Sequence, residues 1–179
     1  MSRFITQSFL GLCLVIGVWS GPAAAGWDPE SLRQAEEAVA DFKRANPRLE
    51  VFFARSYGYA VFPEIVKGGL VLGGAHGDGT VYEQGKVIGA SSVTQVTFGL
   101  QAGGQTFREI VFFKDKEALE RFKAGNFELA ADISAVALEN SASDSLDFGG
   151  GFAVFTLAVG GLMFEASVGG QQFSFEPKP

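Results

Sequence analysis

Between residues 56 and 113 the dominant period of the sequence is two, and glycine interrupts it repeatedly. Tyr57, Tyr59 and Val61 alternate with Gly58, Ala60 and Phe62, while Val96, Phe98, Leu100 and Ala102 alternate with Gln95, Thr97, Gly99 and Gln101. Successive side chains of a strand point to opposite faces, so this spacing predicts β-structure, with Val96, Phe98, Leu100 and Ala102 on the buried side. The chain carries 24 Gly and 18 Phe in 179 residues. Glycine allows tight turns and close backbone approach, and phenylalanine brings apolar area with no polar handle. Together they predict a strongly curved sheet around an aromatic core. The glycines follow no fixed period, which excludes a fibrous repeat. Gly77-Asp78-Gly79, Gln84-Gly85 and Gly103-Gly104 read as turns, and the glycine pairs on either side of Leu70-Val71-Leu72 read as bulges or bends.

Helical signals flank this segment. Asp28-Pro29-Glu30 has the form of a helix start, and Leu32, Ala35, Val39 and Phe42 recur at three- and four-residue steps until Asn46-Pro47 stops the pattern. The polar face mixes Arg33, Lys43 and Arg44 with Glu36, Glu37 and Asp41, which favours docking on the domain over lying on an anionic membrane. Ala118, Leu119 and Phe122 predict a short helix ended by Gly125, and residues 127–138 a further helical stretch. Residues 141–151 read as a loop. Strands are predicted at 152–159, 162–168 and 171–175, turned by Gly160-Gly161 and Gly169-Gly170. The expected architecture is α+β: a curved, largely antiparallel, glycine-rich and barrel-like sheet of about eight strands packed with about three helices.

The N-terminus has the tripartite form of a secretory signal: Arg3, an apolar stretch at 9–19, then Gly21-Pro22 and Ala23-Ala24-Ala25. Cleavage is expected after Ala25, leaving a single domain at 26–179. Leu12 is too large to precede a lipidated cysteine, so Cys13 is not read as an acylation site. The remainder would be cysteine-free and acidic, which suits a periplasm better than an extracellular destination, with peripheral membrane attachment allowed.

The charge balance, 14 basic against 20 acidic residues and a net −6, opposes binding of nucleic acid through the overall field. One histidine and one cysteine leave little for metal sites or thiol catalysis, and no metal or other cofactor is expected. His76 has no nucleophile elbow to serve, and a structural hydrogen bond at a strand end accounts for it better than catalysis. Asp144 and Asp147 fall short of a calcium ligand set. No phosphate-binding glycine motif occurs, and acids interleave with Lys114, Lys116, Arg121 and Lys123. Nothing assembles an active site, so the chain is not read as an enzyme.

The order of the motifs is more specific than any one of them. The run Ser56-Tyr57-Gly58-Tyr59-Ala60-Val61-Phe62-Pro63, then Lys67-Gly68-Gly69-Leu70-Val71-Leu72-Gly73-Gly74-Ala75-His76-Gly77, resembles the core of the SYLF lipid-binding family. Phe98-Gly99-Leu100-Gln101-Ala102-Gly103-Gly104-Gln105 is similar to that family's G-x-Q-x-G-x-Q segment, and Phe112-Phe113, Gly160-Gly161-Leu162 and Gly169-Gly170 follow in the family's order. The resemblance spans roughly residues 30 to 175. It implies a non-enzymatic module that binds phospholipid or a membrane surface, here in the bacterial envelope. The actin and phosphoinositide partners of eukaryotic members are not carried over to an exported chain. The residues expected to touch lipid are Arg33, Lys43, Arg44 and Arg48, with Trp27 as an interfacial anchor, followed by Tyr57, Tyr59 and Lys67. The alternative is an envelope structural or interaction domain that forms a homo-oligomer through its sheet and binds no lipid.

Overall fold

A computed structural model describes residues 29–69, 72–98, 105–125, 148–159 and 171–179. In chain order these form α1 (Pro29–Ala45), α2 (Leu49–Arg55), β1 (Gly58–Gly69), β2 (Leu72–Glu83), β3 (Lys86–Phe98), β4 (Gln105–Phe113), α3 (Lys116–Lys123), β5 (Phe152–Ala158) and β6 (Gln171–Pro177). The strands make one sheet in the order β5-β4-β1-β2-β3-β6, every neighbouring pair antiparallel.

The α+β class is as the sequence indicates, but the count and the closure differ. Among the described residues there are six strands, not eight, and the sheet is open, with β5 and β6 at its two ends. One cause lies in β2. Gly77-Asp78-Gly79 is no turn: it lies within β2, where Gly77 pairs with Val93 and Gly79 with Ser91. The glycine pairs at 68–69 and 73–74 likewise face each other at the end of a hairpin, Gly68 opposite Gly74 and Gly69 opposite Gly73. The helix expected at 127–138, the strand at 162–168 and most of the loop at 141–151 lie outside the described residues.

Gln84-Gly85 is a true turn. Both residues have positive φ, 48° and 78°, the conformation that lets a two-residue loop follow the right-handed twist of its strands. The glycines of β2 act differently, by letting backbone and rings come close. A Cβ on Gly79 would lie 2.6 Å from the Phe62 ring and from the Val61 carbonyl oxygen. Opposite them β1 is irregular, with register shifts between Val61 and Val66 toward β2 and between Phe62 and Ile65 toward β4. Bulges bend and twist a strand. The sheet curls so far at this place that Phe62 of β1 meets Phe173 of β6, two strands beyond its neighbour, with ring centroids 5.5 Å apart.

The curl divides the core into two layers. Inside it lie Ala60, Phe62, Ile65, Val93, Val111, Phe113, Phe152 and Phe173, covered by Ala118, Leu119 and Phe122 of α3. Asp115 caps α3 by accepting from the Ala118 amide at 2.9 Å, and Gly125 takes φ 67° just beyond its end. On the outer face Val61, Tyr82, Ile110, Phe112 and Phe155 receive Ala35, Ala38 and Phe42 of α1 and Leu49 and Phe52 of α2. The predicted stripe of α1 therefore docks on the sheet, while α2 had no sequence expectation because it is only 7 residues long. The phase of β3 is opposite to the expected one: Val96 is 53% exposed and Gln95 is 3% exposed.

Gly79→Ala should cost about 1–3 kcal/mol of stability, the usual range for overpacking a filled interior. Gly68→Ala, where a Cβ meets nothing within 4 Å, should stay within about 0.5 kcal/mol of the parent protein. Urea unfolding midpoints of the two variants measure both.

Candidate functional site

The cations expected to read lipid lie along α1 and just after it, and the helix geometry gives them acids as neighbours. Arg33 bonds Glu30 and Glu37, three and four residues away on the same face. Arg44 pairs with Asp41 at 2.5 Å, and Lys43 with Glu50 of α2 at 3.1 Å while its ammonium sits over the Phe53 ring. The backbone N–H of Arg48, at the bend between α1 and α2, donates to Asn46 Oδ1. These groups are exposed or half-exposed, and the acids beside them cancel most of the field that a headgroup would feel. Trp27 lies outside the described residues.

Tyr59, Tyr57 and Lys67 do not join them. Tyr59 is in the outer core, stacked on Tyr82 with centroids 4.7 Å apart and edge-on to Phe53. Burial holds the hydroxyl of Tyr59 above the usual tyrosine range and pushes Tyr82 up to about 12. Tyr57 packs against the inner cluster, and its hydroxyl donates to Glu83 Oε1 at 2.6 Å. Lys67 is 7% exposed and follows Ile65 on the inner side of β1. The seven described residues thus fall at separate places on the fold and form no single site.

Arg108 has a positioning role that its sequence context did not signal. It donates from Nε to the Pro63 carbonyl at 3.2 Å, at the bulge of β1, and forms an ion pair with Asp41 of α1. One guanidinium thereby ties helix, bulge and β4 together. Beyond this clamp no helix among the described residues packs on the outer face. The register sets Val159, Thr106, Val66, His76 and Thr94 in one row across β5, β4, β1, β2 and β3, with Gly68, Gly74 and Val96 in the next. Val66, Val96 and Val159 are 52%, 53% and 59% exposed, three of the four large exposed hydrophobics among the described residues. His76 is exposed in mid-strand, with Nδ1 3.4 Å from Thr94 Oγ1 and Nε2 3.9 Å from Asp78 Oδ1. The histidine lies within β2 and does not end a strand.

The inner face carries a second polar group that went unrecognised. Glu109, Gln95 and Gln171 are buried at 1%, 3% and 2% exposure, and Gln171 Nε2 donates to Glu109 Oε2 at 3.0 Å. A signal existed: Glu109 stands in phase with Phe107, Val111 and Phe113 along β4, which marks it as an inward carboxyl. Among the described residues no group of three metal-ligating side chains occurs, and no helix is long and apolar enough to cross a membrane.

A curved antiparallel sheet with a small helix inside the curl and an amphipathic helix pair outside it defines an α+β module without an assembled catalytic constellation among these residues. Residues 94–177 match the family described as Ysc84, Las17-binding protein actin regulator. The chain is also similar to a protein named Beta cell expansion factor A from Aeromonas veronii, 26% identical over 141 residues. The match takes in 78% of this chain and 53% of the relative, so the chain spans about half the length of the protein it matches.

Replacing Arg108 by Met should loosen α1 from the sheet. The loss should fall between the ~0.2–1 kcal/mol of exposed ion pairs and the ~3–5 kcal/mol of breaking fully buried ones. Asp41→Asn should cost less, because the Pro63 contact survives. Thermal unfolding of both variants orders them.

Proposed function

We propose that this chain is a non-enzymatic phospholipid- and membrane-binding module of the bacterial envelope, and that it meets the bilayer with the uncovered end of its outer sheet face. The observation that carries this reading is the exposure of Val66, Val96 and Val159 on one face of the sheet, near Gly68 and Gly74. Exposed apolar side chains set among polar groups on a sheet face mark an interaction site. Thr106, His76 and Thr94 stand in the same rows as the valines, with Asp78 further along β2. The match of residues 94–177 to the Ysc84 family supports the same reading. The family description names Las17 and actin; an exported chain with the signal-like N-terminus described above would meet lipid instead. The pairing of Arg33, Lys43 and Arg44 with acids removes them from the leading role and leaves apolar contact as the main attraction.

Flotation of the purified protein with phosphatidylcholine vesicles, with and without phosphatidylglycerol, tests this. The protein should float with both, with little loss when salt is raised, because apolar contact is not screened. A Val66→Asp, Val96→Asp double variant should stay at the bottom of the gradient while keeping its unfolding midpoint. Binding that requires anionic lipid and fades with salt would return the site to the cations of α1. Absence of flotation together with a defined oligomer would favour the interaction-domain reading.

A further inference from the structure

Glu109 and Gln171 come together from distant places in the sheet. Three strands separate β4 from β6 in the hydrogen-bonded order, yet the two side chains meet inside the curl at 3.0 Å. Gln171 Nε2 donates to Glu109 Oε2. The other oxygen of each group, Glu109 Oε1 and Gln171 Oε1, is buried and without a hydrogen-bond partner among the described residues. A carboxylate only accepts, so an ionised Glu109 leaves two acceptors in a dry interior and no donor for either. One proton repairs both. With the proton on Oε1, Glu109 donates to Gln171 Oε1, and a planar acid and a planar amide close a ring of two antiparallel hydrogen bonds.

We propose that Glu109 is held as the neutral acid, that it forms this acid–amide ring with Gln171, and that the ring is a proton-operated latch holding β6 across the concave face.

The surroundings favour the neutral form. β1 sets Phe62 opposite Glu109 and β5 sets Thr156 there. β3 contributes Val93 and Gln95, β6 Phe173, and α3 Ala118, Leu119 and Phe122. Among the described residues, the charged groups on the inner side are Lys67, paired in register with Gln105 at one end, and Glu83, which accepts from Tyr57 at the other. Of the charges on α3, Arg121 donates to the Gly150 carbonyl and Lys123 to Glu120, while Lys116 and Glu117 are exposed in its first turn. Burial pushes the Glu109 carboxyl up to about 7, against a smaller opposite pull from the Gln171 N–H. The folded-state value lies above the ordinary 4.5. The contribution is therefore complete below that ordinary value, declines as pH rises, and is gone once pH passes about 7.

The test compares the parent protein with Glu109→Gln, which can form the same ring with an amide N–H in place of the acid O–H and has no proton to lose. Urea midpoints and amide exchange of Phe173 and Ser174, corrected for intrinsic rates, are followed from about pH 5 to about pH 8. The parent should lose midpoint and β6 protection across this range, and Glu109→Gln should lose neither. Every other titratable group is common to the two proteins and cancels in the comparison. Equal slopes in the two proteins would overturn the latch, as would a Glu109→Gln protein less stable than the parent at every pH, since that means an ionised carboxylate is served by another donor. Should the variant not fold, the side-chain carboxyl carbon of Glu109 in the parent decides by NMR: titration near neutrality supports the proposal, and titration in the ordinary carboxyl range overturns it.

Discussion

The curl of the sheet at the β1 bulge is the constraint on which the rest depends. Where β1 shifts register between Val61 and Val66, β2 opposes it with Gly77 and Gly79, and a ring from β1 occupies the space that side chains would fill. Only a backbone without Cβ atoms lets the Phe62 ring lie at that depth. Once there, Phe62 is within ring contact of Phe173, and Phe173 of Phe122 in α3 at 5.2 Å. Remove the close approach and β6 moves out of reach of both α3 and Glu109. A flat sheet of six strands would expose its inner face to water, and α3, only 8 residues long, could not cover it.

The outer layer is held by different means. Phe52 of α2 touches Phe112, Phe148 and Phe155 within 5.7 Å, and full burial of one such ring contributes about 1.5–3 kcal/mol. This cluster explains why a helix of 7 residues persists, since one so short has no stability of its own. Aromatic packing fixes the proximal half of the outer face, and the Arg108 clamp ties α1 to β4 through Asp41. The distal half is left to solvent because no helix reaches past Pro63 among the described residues. Its apolar character follows from strand composition, valine and threonine on a pleated surface, and needs a partner to be covered.

What the sequence made legible follows how local each signal is. The stripe of α1, the Gly125 stop of α3, and the Gln84-Gly85 hairpin each rest on a few adjacent residues, and all stand as expected. Gly77-Asp78-Gly79 misled because its glycines serve a contact with β1, and a close approach between strands has the same local composition as a turn. Val96 misled for a related reason. Alternation gives two faces but not which one is inside, and in β3 the polar Gln95 goes in because Gln171 of β6 stands directly opposite. The cations of α1 were legible as a group, but their value for binding depended on side-chain pairing with Glu30, Glu37, Asp41 and Glu50.

These two faces divide the chemistry of the molecule in a way that composition could not. Charge sits on α1 and is balanced within the helix pair, so it contributes solubility and little attraction to a surface. Apolar exposure sits at the far end of the sheet, beyond the clamp, where binding would not disturb either core layer. The inner face holds the Glu109 carboxyl among phenylalanines, away from both, and under the proposed latch a proton there bears on how firmly β6 stays closed and not on what the outer face touches. The proposed attachment through the outer valines and the proposed closure through Glu109 are therefore separable: they lie on opposite faces of the sheet, and the Glu109 proton touches none of the outer valines.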